Sequence, residues 1–178
     1  MVHYPKDIQH FFLAGINYKK SDSATRSRFA ISPDQYTWIL AEAKARGIAE
    51  VFVLSTCNRT EIYGIARDME QLVDLLCEAT GEPTELFYTI AYQQKGKAAI
   101  RHLFEVGAGL DSQILGDYEI VGQIKLAIKI AKENDGIGPF IERLYNQVLQ
   151  TSKLVKNNTA LSSGTVSVSF AAIQYLKD

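Results

Sequence analysis

The sequence predicts an α+β fold: a split β-α-β core in the order β-α-β-β-α-β, followed by a helical segment. Three observations point there. Phe11–Ile16 and Val51–Leu54 are short continuous apolar runs with the β-branched and aromatic content of buried strands. Two stretches, near residues 33–46 and 68–81, carry helix start and stop signals at both ends. After residue 95 the texture changes to helical periodicity.

Taken in order, Phe11-Phe12-Leu13-Ala14-Gly15-Ile16 is the first strand, and residues 17–28 read as a polar loop containing Arg26 and Arg28. Ser32 can cap a helix, Pro33 suits its first position, and Gln35 completes a capping box. Gly47 is the matching stop, so this helix spans about 33–46. Val51-Phe52-Val53-Leu54 reads as a strand buried on both faces. Ser55-Thr56-Cys57-Asn58 breaks it, and strand resumes from Thr60 to Ala66. Asp68, with Gln71 three residues on, starts a second helix that carries Leu72, Val73, Leu75, Leu76 and Ala79 and stops at Gly81. Leu86-Phe87-Tyr88-Thr89-Ile90 reads as the fourth strand, which completes the ferredoxin-like order. Ala98–Val106 then reads as a short helix and Gly107–Ser112 as a loop. Ile120, Ile124, Ala127, Ile128 and Ala131 share one face of a helix over 119–133. Gly136 and Gly138 end it, and Pro139 opens another helix over about 139–156. Val166, Val168 and Phe170 alternate at strand period, whereas Ala171–Leu176 suits a helix, and period alone does not arbitrate.

At 178 residues the chain allows one domain, or one domain plus a short appendage. A hydrophobic share of 47% with 22% charged residues excludes a disordered or fibrous chain. With 19 Lys+Arg against 20 Asp+Glu, any nucleic-acid contact must be local rather than a general basic surface. Cys57 and Cys77 stand twenty positions apart with no CxxC, which argues against a disulfide framework and a structural zinc site and for reduced thiols in the cytoplasm. Met1–Asp7 shows no signal pattern, and no apolar run approaches the ~20 residues of a membrane span.

Cys57 is the first candidate for chemistry. It follows a buried strand, between polar residues, with Arg59 two positions on; a turn of backbone N–H groups or a guanidinium favours the reactive thiolate. Without its neighbours a lone cysteine is more often a small buried hydrophobe. Cys77, among Leu75, Leu76 and Ala79, reads as structural. His102 suits a general base or proton shuttle, although alone it reads as a partly exposed helical histidine. Arg59 can hold a carboxylate bidentately; the plainer reading pairs it with Glu61 at the surface, and Glu61 itself reads as structural. Gly107-Ala108-Gly109 and Gly136-Ile137-Gly138 both lack the strand–glycine–helix context of a nucleotide fingerprint.

Four collinear blocks then resemble the glutamyl-tRNA reductase family. They are Gly15-Ile16-Asn17; Leu54-Ser55-Thr56-Cys57-Asn58-Arg59-Thr60-Glu61-Ile62-Tyr63; Arg101–Ser112 running on through Ile114-Leu115-Gly116 to Gly122-Gln123-Ile124-Lys125; and Ser163–Ala171. The resemblance implies an NADPH-dependent oxidoreductase that converts glutamyl-tRNA to glutamate-1-semialdehyde at the start of tetrapyrrole, and hence porphyrin and heme, biosynthesis. It implies that Cys57 is the nucleophile that takes the glutamyl group as a thioester and that His102 handles protons. It places Thr56, Asn58, Arg59, Ser112, Asp117, Tyr118, Glu119 and Gln123 against the substrate. Asp117-Tyr118-Glu119 stands where the family has Glu-Pro-Gln, Tyr18 where it has His, and Asp22 where it has Pro, while Arg26 falls where the family has an arginine.

By the same resemblance, residues 1–157 form a catalytic, glutamyl-tRNA-binding domain, with an α+β core over about 1–93 and a helical part over about 94–157. Residues 158–178 start the connection to an NADPH-binding domain absent from this chain, and 165–176 becomes a helix. The chain is then expected to bind neither NADPH nor metal, to act at most as an esterase, and to be monomeric where the longer enzyme is a homodimer. Glutamyl-tRNA and glutamate-1-semialdehyde aminomutase are the partners implied, in the cytoplasm and without a membrane. A non-catalytic tRNA- or partner-binding module and a stand-alone thioesterase are the competing readings.

Overall fold

The computed structural model describes residues 8–159 and 161, so the strand-or-helix question at 165–176 lies outside the described residues. Four strands, β1 (Phe11–Asn17), β2 (Glu50–Ser55), β3 (Arg59–Ile65) and β4 (Tyr92–Lys95), form one antiparallel sheet in the order β2-β3-β1-β4. β3 therefore lies between two mutually parallel strands, which is the split β-α-β arrangement. The helices are α1 (Ser23–Arg28), α2 (Pro33–Ala45), α3 (Met69–Thr80), α4 (Thr84–Ile90), α5 (Lys97–Gly107), α6 (Glu119–Glu133) and α7 (Pro139–Asn158).

Every residue of β1 is buried, because the sheet is covered on both faces. Strand alternation sorts the side chains. One face carries Gly64, packed on Leu72 of α3. The other carries Phe11, whose ring lies 5.3 Å from Phe140 of α7, and the stacked pair Phe52 and Tyr63, 4.7 Å apart. The caps read from sequence are present: Ser32 and Gln35 form a reciprocal capping box, Asp68 caps α3, and Gly81 ends it at φ 72°.

Two expectations fail. Leu86–Ile90 is not a strand but belongs to α4, which starts after Pro83 and buries only Phe87. A short, mostly apolar run fits a helical turn as well as a strand. The true β4, Tyr92-Gln93-Gln94-Lys95, is a polar edge strand with no fully buried residue, so no apolar run marked it. The 17–28 loop also contains a helix, α1, capped by Asp22 through the Thr25 N–H at 2.7 Å. It buries no residue and so has no apolar period to read.

α7 begins at Gly138-Pro139, which supplies no capping side chain of its own. Glu50, from the first position of β2, reaches across instead and accepts the N–H groups of Phe140 (3.1 Å) and Ile141 (2.7 Å). A buried carboxylate there satisfies two orphan donors and suits the positive end of the helix. Glu50→Ala is expected to cost about 1–2 kcal/mol, the size of a lost cap. A lowered urea midpoint with unchanged slope is the readout. No described helix is long and apolar enough to cross a membrane.

Candidate active site

The β2–β3 hairpin places Cys57. Ser55 and Thr60 are the last paired residues, which leaves Thr56, Cys57 and Asn58 to turn the chain before Arg59 starts β3. Thr56 builds the turn from within. Its N–H donates to Arg59 O at 2.8 Å, and its hydroxyl oxygen accepts the N–H groups of Asn58 and Arg59, each at 3.2 Å. Tyr18 N–H, from the chain leaving β1, donates to Asn58 O at 3.0 Å. Cys57 stands exposed at the apex. Cys77 is the opposite case: burial, with nearby acidic groups adding to it, pushes its thiol up to about 12. A neutral buried thiol fits its structural reading.

Below the apex lies a buried charge cluster. Arg59, Glu61 and Tyr63 alternate along β3 and so share one face. Glu61 is fully buried and is the hub. It accepts from Arg59 Nη1 (3.0 Å), from the Tyr63 hydroxyl (2.6 Å) and from the Tyr92 hydroxyl of β4, and it meets His102 Nε2 of α5 at 2.7 Å. Burial opposes its ionisation, but the Arg59 charge, the His102 hydrogen bond and charge, and the Tyr63 hydroxyl outweigh it, holding Glu61 at about 2. Burial and the Glu61 charge push both phenols well up, so both stay donors. An ionised Glu61 only accepts, so His102 must carry its proton on Nε2 toward it.

Room for this hub comes from Gly15, directly opposite Glu61 in the β1–β3 register. A Cβ at Gly15 would lie 2.7 Å from Glu61 Cγ and 3.0 Å from Thr60 O. Any other residue there would collide with a side chain already fixed by its four partners.

Arg59 also reaches the loop after α5. Its Nη1 donates to Asp111 Oδ2 at 3.0 Å and its Nη2 to Asp111 O, while Lys19 pairs with the other Asp111 oxygen. Tyr18 donates its hydroxyl to Ser112 O at 3.2 Å. That loop is closed where Gly116 N–H donates to Gly109 O at 3.0 Å, both glycines having positive φ.

The structure thus gathers Thr56, Cys57, Asn58, Arg59, Ser112 and, through Glu61, His102. The Arg59–Glu61 pair is not the surface ion pair of the plainer reading, since Arg59 is 2% exposed and Glu61 0%. His102 is likewise buried rather than partly exposed, because α5 packs that face on β4 and β1. Asp117 Oδ1 accepts the Glu119 N–H at 3.0 Å and so starts α6, with Gln123 one turn further along. Tyr118 lines a cavity of about 450 Å³ between α6 and α7, together with Lys125, Ser152 and Lys153. Sequence reasoning gave no role to Tyr63, Tyr92 or Asp111. Tyr63 had a signal, the two-residue period of Arg59, Glu61 and Tyr63; Tyr92 had none, since its strand was not recognised.

A family model described as glutamyl-tRNA(Glu) reductase, N-terminal domain, matches residues 14–159. The chain is 48% identical over 168 residues to glutamyl-tRNA reductase of Christiangramia forsetii, covering 94% of this chain and 40% of that protein. It is 50% identical over 166 residues to that of Flavobacterium psychrophilum, covering 93% and 40%. Among solved structures, the glutamyl-tRNA reductase from Methanopyrus kandleri superposes with a TM-score of 0.75 at 25% identity, over 95% of this chain and 40% of that one. The chain therefore spans about 40% of the length of these relatives.

Proposed function

Because the chain belongs to the glutamyl-tRNA reductase family, we propose that it is the unit that captures the glutamyl group of glutamyl-tRNA on Cys57. The observation that carries this is the exposed thiol at the apex of a turn tied on both sides and anchored on a buried charge cluster. The Cys57 sulfur attacks the ester carbonyl carbon, and the bond from that carbon to the ribose oxygen breaks. The tRNA leaves as its terminal hydroxyl, taking up the proton the thiol gave, and a glutamyl thioester remains. No oxidant or reductant is needed to this point. Water can then release glutamate and restore the thiol.

Thr56 shapes the turn, and Asn58 and Ser112 border it. Arg59 is the cation offered to the substrate carboxylate, in a place where Asp111 already sits as a carboxylate partner. Asp117, Tyr118, Glu119 and Gln123 are proposed substrate contacts from the α6 side. His102 handles protons through the nitrogen that Glu61 leaves free.

A thioester accepts hydride more readily than an oxygen ester, and NADPH is the hydride source proposed for the longer protein, yielding glutamate-1-semialdehyde. The described residues do not fit a dinucleotide. The sheet is antiparallel throughout, Gly107 ends α5 and Gly109 follows it, and Gly136 and Gly138 join two helices. No reducing step is assigned to them. Residues up to 157 are proposed as the capturing domain and 158–178 as the lead to an NADPH-binding domain. Glutamate-1-semialdehyde aminomutase is the proposed taker of the aldehyde, and the cytoplasm the proposed compartment.

Mixing the chain with glutamyl-tRNA is expected to release free glutamate and uncharged tRNA well above the spontaneous rate, and added NADPH is expected not to divert the product. Semialdehyde formed by this chain would overturn that division of labour. Saturable tRNA binding with no acceleration would favour the binding-module reading.

A further inference from the structure

The two peptide units that follow the Cys57 Cα are each held at both ends. In the Asn58–Arg59 unit, the carbonyl accepts from Tyr18 N–H and the N–H donates to Thr56 Oγ1. In the Cys57–Asn58 unit, the N–H also goes to Thr56 Oγ1, and the carbonyl accepts from Arg26 Nε at 3.3 Å. Three of these four ties come from the hairpin itself or from the strand-leaving backbone beside it. The fourth is a side chain on α1, and it alone holds the carbonyl of the candidate nucleophile.

Arg26 is itself anchored. Its Nη1 donates to Ser21 O at 2.5 Å, and Ser21 is fixed through its N–H and hydroxyl to Asn17 O at the end of β1. A guanidinium presents its donors in a rigid plane, so one residue can span two carbonyls with a set separation. No carboxylate lies within ion-pair distance of Arg26 among the described residues. Asp22 feels its charge but spends its own oxygen on capping α1. Arg28, two residues on, points elsewhere and pairs with Glu82. The fork of Arg26 is thus used on two neutral backbone oxygens, one of them the Cys57 carbonyl at the turn, not on a surface ion pair.

From this we infer that Arg26 is a positioning residue for Cys57, fixing the nucleophile's own peptide unit so that the thiol meets the ester carbonyl in one orientation. This rests on the reading of Cys57 as the acceptor of the glutamyl group. A reacting atom displaced by about 1 Å can lose ~10²-fold in rate, so a clamp on the nucleophile's backbone acts on the rate of acyl transfer rather than on affinity. Arg26 touches no substrate in this account.

The test uses this chain with Arg26→Ala, Arg26→Lys and, as a control on the same helix, Arg28→Ala. Backbone amide relaxation is measured at Cys57 and Asn58, and thioester formation is followed over a range of glutamyl-tRNA concentrations. Arg26→Ala is expected to drop the order parameters of both amides from about 0.85 to below about 0.6 while β3 stays rigid. Its saturating rate of thioester formation is expected to fall about 10- to 100-fold, with the half-saturating concentration changed less than about twofold. Arg26→Lys, which can still donate to the Cys57 carbonyl, is expected to recover most of the rate, and Arg28→Ala to change neither readout. Rigid amides or an unchanged rate in Arg26→Ala would overturn the inference. So would a raised half-saturating concentration at full rate, which marks substrate contact, or an equal loss in Arg28→Ala, which marks α1 as merely structural. A wild type that takes up no glutamyl group would instead sink the Cys57 reading, and the inference with it.

Discussion

Glu61→Ala is expected to lower the stability of the fold by about 3–5 kcal/mol, the usual cost of removing one member of a buried ion pair. The substitution strips Arg59 of its fully buried partner and leaves the guanidinium, 2% exposed, with Asp111 alone. It also removes the acceptor of the Tyr63 and Tyr92 hydroxyls and the partner of His102. Glu61→Gln keeps the volume and is expected to lose less, though it still uncovers a buried charge. A pH series checks the same claim. The carboxyl is held at about 2 against an ordinary 4.5, a depressed value, so its contribution is complete above about pH 4.5 and is lost as pH falls from there toward 2. The difference corresponds to about 3 kcal/mol. The wild-type urea midpoint should fall steeply in that window, and Glu61→Gln should flatten the fall. A Glu61→Ala variant within about 1 kcal/mol of wild type would contradict the hub described here.

Cys57→Ala is expected to return glutamyl-tRNA cleavage to the spontaneous rate, a loss of ~10² or more, because it removes the group proposed to form the covalent intermediate. The fold should be indifferent, within about 0.5 kcal/mol, since the side chain is exposed on a turn whose geometry is set by Thr56, Tyr18 and Arg26. Cys77→Ala should behave in the reverse way. It leaves the rate intact and costs stability, because Cys77 is 3% exposed on the core-facing side of α3. Equal cleavage rates by wild type and Cys57→Ala would remove Cys57 from the chemistry.

The contrast between the two cysteines was legible in the sequence, and the reason is physical. Apolar neighbours at helical spacing mark a buried side, whereas a polar break after an apolar strand marks a turn. The helix caps were equally plain, since Ser32-Pro33 and Asp68 with Gly81 are local devices whose partners lie within four residues. β4 was not legible: an edge strand covered on one side needs no apolar run, and the largely apolar and aromatic Leu86–Ile90 just before it belongs to a helix. α1 hid for a similar reason, having no buried face. The site was half visible. Thr56 to Arg59 are contiguous, but the partners of Arg59 and Glu61 come from positions 92, 102 and 111, and no local pattern announces a contact across 31, 41 or 52 residues. The role of Arg26 was out of reach on the same grounds, since its target carbonyl lies 31 residues away.

Incubation of the chain with glutamyl-tRNA radiolabelled in the glutamyl group, quenched in acid within one turnover and resolved on a denaturing gel, bears most directly on the capture of the glutamyl group by Cys57. Label is expected on wild-type protein, released by hydroxylamine as a thioester should be, mapped by peptide mass to the fragment containing Cys57, and missing from folded Cys57→Ala. Label persisting on Cys57→Ala, or found on another residue, would contradict it.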